Sequence, residues 1–143
     1  MGAGTRILWL AVATSAFAAG AGVAADLDIR RGGSLWARVE GDGWIRVHGS
    51  LEGRFEDDGT VRRDGSVVGQ VEDDGAIRAD GSVIGEVEID GTLRRDGSII
   101  GRIEDDGAIR RDGSIWGEAE ACCPDRSARR KVAAVLFFFS GDF

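Results

Sequence analysis

Few residues in this chain have chemistry to offer. It holds one histidine, His48, and two cysteines, Cys122 and Cys123, in 143 residues. A nucleophile needs a base within hydrogen-bond reach, and a zinc ion needs three or four N or S ligands. His48 stands in a Gly-rich turn, without a second histidine for a metal or an acid–base pair, and reads as a turn residue. Cys122 and Cys123 are adjacent, and three states are open to them in an oxidising compartment: a vicinal disulfide, a bridge between two chains, or an incidental pair. Neither has a base nearby in sequence. The pairs Asp57/Asp58, Asp73/Asp74 and Asp105/Asp106 offer oxygen ligands. Calcium takes six or more oxygens, and the spacing matches neither an EF-hand nor a calcium-binding nonapeptide, so they read as turn formers. No catalytic residue, cofactor or metal is expected. The informative side chains are Trp36, Trp44 and Trp116, aromatic exceptions in a repetitive background. They form a candidate ligand or partner surface; the plainer reading is that Trp36 and Trp116 clamp two ends of the chain together.

The background that positions them is a sixteen-residue repeat. Blocks 33–48, 49–64, 65–80, 81–96 and 97–112 align without a gap, and half blocks 25–32 and 113–120 flank them, making six units. Counting from the Gly of each Gly-Ser pair, position 7 is Val39, Phe55, Val71, Val87, Ile103 and Ala119. Position 13 is Ile29, Ile45, Val61, Ile77, Leu93 and Ile109, and position 3 is Leu35, Leu51, Val67, Val83, Ile99 and Ile115. Apolar positions that alternate with polar ones, many of them β-branched, read as strands. Asp-Gly marks both turns of each unit. A two-residue loop at Asp74-Gly75 pairs Glu72 with Ile77; a three-residue loop with its Gly in a G1 bulge pairs Val71 with Ile77, which keeps the apolar row intact. The same loop at the other turn pairs Ile77 with Val83. That register sets Trp36 opposite Asp28, Trp44 opposite Glu52 and Ala108 opposite Trp116. Arg62/Arg63, Arg94/Arg95 and Arg110/Arg111 then read as cross-strand charge pairs on a solvated face.

The chain starts with the second strand of one unit and ends its repeats with the first strand of another, so the two halves can pair and close a ring. The expected fold is all-β: a closed, shallow antiparallel meander barrel of about twelve short strands. A register advance of four residues per unit gives a shear of about 24, a tilt of about 55° and a radius of about 15 Å. Side chains of the wall cannot fill such a ring. The tail offers a filler: beyond Pro124, Ser127 can cap a helix, and Val132 to Phe139 is apolar all round. Burial of Val132, Val135, Leu136, Phe137, Phe138 and Phe139 as a plug is the expectation, helped by the small residues at position 5; a membrane or dimer contact is the rival.

These tandem G-S-[VI]-x-G-x-[VI]-E-x-D-G-x-[IV]-R-x-D-G hairpins resemble the β-flower proteins, shallow symmetrical barrels with hairpin petals. More remotely they are similar to Tubby C-terminal and phospholipid scramblase barrels. The resemblance covers residues 26–120, and the tail for the helix. It implies a closed barrel around a hydrophobic C-terminal helix and no enzymatic role. Tubby proteins hold phosphoinositides through basic residues, whereas residues 26–120 carry 13 Arg against 23 Asp and Glu.

That acidity, within a net charge of −7, argues against nucleic acid as a partner. At the other end of the chain, Arg6, the apolar run Ile7–Ala19 and the small residues to Ala25 have the pattern of a secretory signal. The expected organisation is a signal peptide over 1–25, the repeat barrel over 26–120, and a linker with the hydrophobic helix over 121–143. The functional expectation is an exported, periplasmic or extracellular, non-enzymatic binding or structural module of the cell envelope, with an unknown ligand or envelope protein as partner. The alternatives are a lipid-binding protein that uses the tail or the barrel cavity, and a polymer-forming scaffold.

Overall fold

The structure is a computed structural model that describes residues 25–123 and 125–143. The export-signal reading therefore lies outside the described residues, Ala25 excepted. Twelve strands form one closed antiparallel meander barrel. They are β1 (Leu27–Arg31), β2 (Ser34–Val39), β3 (Trp44–Val47), β4 (Ser50–Phe55), β5 (Thr60–Arg63), β6 (Ser66–Val71), β7 (Ala76–Ala79), β8 (Ser82–Val87), β9 (Thr92–Arg95), β10 (Ser98–Ile103), β11 (Ala108–Arg111) and β12 (Ser114–Glu120). Each strand hydrogen-bonds to its sequence neighbours, and β1 pairs with β12 to close the ring. The seam repeats the internal pattern: Ile29 lies opposite Ala119 as Ile77 lies opposite Val71.

The two kinds of turn differ, although both contain Asp-Gly. At the Glu-Asp-Asp-Gly end, the Gly75 amide donates to the Glu72 carbonyl at 2.9 Å and the Glu72 amide to the Ala76 carbonyl at 2.8 Å. Gly75 sits at φ +96°, so this is the expected three-residue loop with a G1 bulge, and Val71 meets Ile77. At the other end Asp80 has φ 53° and Gly81 has φ 81°; two consecutive left-handed residues make a two-residue type I′ turn, with Ala79 opposite Ser82.

That second turn corrects the expected register. Ile77 meets Gly85, not Val83; Val83 meets Arg78 on the outer face, and Ile84 is the extra residue of a bulge. Position 3 is consequently exposed, from 44% at Leu35 to 61% at Ile99. The tryptophan pairings change with it: Asp28 lies opposite Arg38, Trp44 opposite Arg54, and Ala108 opposite Glu118, while Trp36 and Trp116 are bulge residues. The barrel is also narrower. Ile29 faces Ala37, which faces Val47, two places beyond Ile45, the counterpart of Ile29 in the next unit. Such an advance gives a shear of about 12, a tilt of about 35° and a radius of about 11 Å.

Positions 7 and 13 line the inside, and every position-13 side chain is fully buried. They enclose the tail. Helix α1 (Arg126–Val135) is capped by Asp125, whose carboxylate accepts from the Ser127 amide at 3.3 Å, so the cap is Asp125 and not Ser127. Residues Leu136–Ser140 continue as a π-helical turn, which Gly141 ends at φ 75°. Val132, Ala133, Ala134, Val135 and Leu136 are fully buried, Phe137 and Phe139 are buried, and Phe138 is half-buried. Among the described residues, no helix is long and apolar enough to cross a membrane.

Position 5 explains how the tail fits. A Cβ built on Gly53 would lie 2.7 Å from Phe139, one on Gly85 2.7 Å from Phe137, and one on Gly101 3.0 Å from Phe143; Phe138 presses on Gly69 in the same way. Three successive rings of the π-helical turn thus enter the niches of three neighbouring hairpins.

Candidate binding face at the barrel seam

The wall is held by a sixfold circuit of ion pairs between position 14 and position 8. Arg46–Glu40, Arg62–Glu56 and Arg78–Glu72 are each 2.6 Å, Arg110–Glu104 is 2.5 Å, Arg94–Glu88 repeats the contact, and Arg30–Glu120 at 2.8 Å carries it across the seam. Such exposed pairs contribute about 0–1 kcal/mol each, so they fix register and charge order more than stability.

The arginine next in sequence behaves otherwise. Position 15 shares its face with position 13 and lies at the rim, where Arg63, Arg95 and Arg111 reach the tail. Arg63 keeps the expected cross-strand charge pair as well, 3.6 Å from Glu52 of β4 and 43% exposed, and Arg111 pairs with its neighbour Asp112 at 2.7 Å. Arg63 donates to the Phe138 carbonyl at 3.1 Å, Arg95 to the Phe143 carbonyl oxygen at 2.7 Å, and Arg111 to the Asp142 carbonyl. Their guanidinium groups stand 5.3, 5.5 and 5.4 Å from the rings of Phe139, Phe137 and Phe143. Strand alternation was the signal for this crown, because adjacent strand residues point to opposite faces of the sheet. At the opposite rim the Asp pairs meet the tail: Asp73 lies 3.4 Å from Arg130 and Asp105 3.0 Å from Arg129. Asp58 accepts from the Thr60 amide at 3.0 Å, and this bond with the Thr60 hydroxyl holds its carboxyl below the ordinary carboxylate range; Thr92 does the same for Asp90. These aspartates serve turns and plug contacts.

The sixfold pattern breaks at the seam. Trp36 and Trp116 meet edge to face with centroids 5.3 Å apart, and Phe143 meets Trp116 at the same distance. The Trp116 indole N–H donates to Asp142 Oδ2 at 2.9 Å, and Arg31 stacks 4.2 Å over the Trp116 ring while pairing with Asp142 at 3.3 Å. This cluster ties β2, β12, β1 and the tail together. Trp44 lies apart from it, on the outer wall beside Arg54 at 4.9 Å. Beside β1, Arg38 grips Asp28 through bonds of 2.5 and 3.0 Å, which hold the Asp28 carboxyl below its ordinary value against partial burial.

Three grooves open around the clamp. One of about 420 Å³ is lined by Arg30, Gly32, Gly33, Ile115, Trp116 and Glu118, among others. A second, of about 260 Å³, lies between Arg31, Ser34, Leu35, Trp36 and His48. A third, of about 110 Å³, shares Leu35 and Trp36 and adds Arg38 and Arg46. Two of the three tryptophans therefore act as clamp and as groove wall at once. Sequence reading missed Arg31 and Ser34 as groove residues, and it treated His48 as an isolated turn substitution.

Cys122 and Cys123 form a vicinal disulfide in the connector between β12 and α1, with Cys123 buried against the core. His48 sits at a hairpin tip with φ 51°, a conformation that Asp64, Asp80, Asp96 and Asp112 share in the other units. No family model, curated protein or solved structure matches this chain.

Proposed function

We propose that the chain is an exported, non-enzymatic binding or structural module of the cell envelope, kin to the β-flower barrels, and that the seam face makes its contacts. One observation carries this reading. A structure built from six near-identical hairpins departs from its pattern where Trp36 and Trp116 meet, and there it offers partly apolar grooves with polar margins. Export rests on the pattern of residues 1–25. A lipid role for the tail has weaker support, because Val132–Leu136 are enclosed by the wall. A filament has weaker support too, because the two terminal half units pair with each other.

The test has two arms. The full chain is expressed and fractionated; it is expected outside the cytoplasm, shortened by residues 1–25, and a chain without 7–19 is expected inside. Purified protein is then sedimented with isolated envelope fractions, with Trp116→Phe preserving the packing and Ile115→Asp and Glu118→Lys altering the groove margin. Binding that falls at least fivefold in both margin variants supports the reading. Cytoplasmic retention of the full chain, or envelope binding unaffected by either variant, overturns it.

A further inference from the structure

Resting on that reading, we infer that the groove between the first two hairpin tips is a site for a small organic carboxylate on an aromatic or branched aliphatic body. Six hairpin tips ring this end of the barrel. Four of them carry Asp in the left-handed position, Asp64, Asp80, Asp96 and Asp112; the other two, which are neighbours, carry Gly32 and His48. The groove of about 260 Å³ between those two tips is thus bordered by no tip aspartate, and its lining is Arg31, Ser34, Leu35, Trp36 and His48.

Each polar side chain of that lining can donate. Arg31 offers a guanidinium whose side chain is 42% exposed, Ser34 a hydroxyl and His48 a ring N–H. Arg31 is already oriented, stacked on Trp116 and tethered to Asp142, so little side-chain entropy is lost when it takes a further acceptor. The apolar wall is Leu35, 44% exposed, with the largely buried Trp36. A guanidinium fork and an apolar wall in one groove of this size fit a carboxylate attached to an apolar group. A cation would face Arg31, and a neutral ligand would bring no charge to the donors that the single Asp142 contact leaves over. Two departures from the repeat, Trp36 and His48, line this groove although they stand at separate positions in the sequence, and a third, Gly32, lies next to its Arg31.

His48→Asp tests the inference cleanly, because it restores the residue that four other tips hold at the same backbone angle. Phenylacetate, indole-3-acetate and 4-methylpentanoate, each against its own primary amide, are titrated by calorimetry into wild type, His48→Asp and His48→Asn, with thermal melts as the folding control. At least one acid is expected to bind with millimolar or better affinity. Its amide and the His48→Asp protein should bind at least tenfold more weakly, while His48→Asn stays within about threefold of wild type. No binding by any acid, equal binding of acid and amide, or an unchanged affinity in His48→Asp overturns the inference. Should the acids fail while envelope sedimentation still depends on Ile115 and Glu118, this site falls and the wider reading stands; acid binding without envelope binding gives the opposite result.

Discussion

Leu136→Asp places the sharpest demand on the plugged barrel. Leu136 is fully buried where α1 passes into the π-helical turn, inside a wall of Val and Ile. Truncating such a leucine to alanine costs about 2–5 kcal/mol. The aspartate loses the same apolar contacts and adds a carboxyl group that must be desolvated or protonated, at a further cost of several kcal/mol. A domain of this size has a total stability of about 5–15 kcal/mol, so the variant should be largely unfolded or close to it. Leu136→Ala isolates the first part of the loss; at roughly 3–6 °C per kcal/mol its melting temperature should fall by about 6–30 °C. The control is Leu51→Asp on the outer wall, where the leucine is 50% exposed, and there the change should stay near 0.5 kcal/mol. Circular dichroism melts and urea titrations read all three variants. A Leu136→Asp protein that melts within a few degrees of wild type would refute the burial argument. If it also lost binding to liposomes that wild type retains, the tail would be a membrane contact instead.

Gly75→Val should lower the melting temperature more than Ala76→Val, because Gly75 has φ +96° and a Cβ there runs into the Val87 carbonyl oxygen; equal melts would refute the bulged loop. Deleting residues 113–120 removes the partner of β1, and light scattering should show oligomers or aggregates where wild type shows a monomer; a monomer of unchanged stability would contradict closure. Acid should weaken the fold partly through Asp28. Its folded pKa lies below the ordinary 3.8, so its contribution is complete above that value and is lost as the pH falls through the folded value. Urea midpoints of wild type and Asp28→Asn should therefore differ most at neutral pH and converge below pH 3.8, and a gap that stays constant would refute the linkage.

Much of this fold is legible in the sequence because the repeat multiplies each local signal. The rows Val71 and Ile77, the three-residue loop at Gly75, the complementary half units and the apolar tail all follow from alternation, turn chemistry and the need to fill a ring. The second turn was harder, because Asp-Gly serves two loop lengths and the choice between them depends on what the flanking residues bury. A clue was present in the adjacent apolar pairs Val67-Val68, Val83-Ile84 and Ile99-Ile100, which break the period of two where a bulge turns one residue outward and the next toward the core. The seam site was least legible. Trp36, Trp116 and Asp142 are distant in sequence, and their contact depends on ring closure and on how far the tail extends past its π-helical turn.

The central claim is a ring without edges, closed around its own tail. Native-state hydrogen exchange, resolved by residue, tests it most directly. In a closed ring the paired amides of β1 and β12 should exchange as slowly as those of β6 and β7, and the buried tail from Val132 to Leu136 should share their protection. Fast exchange along both β1 and β12, or in the tail while the strands stay protected, would contradict the account.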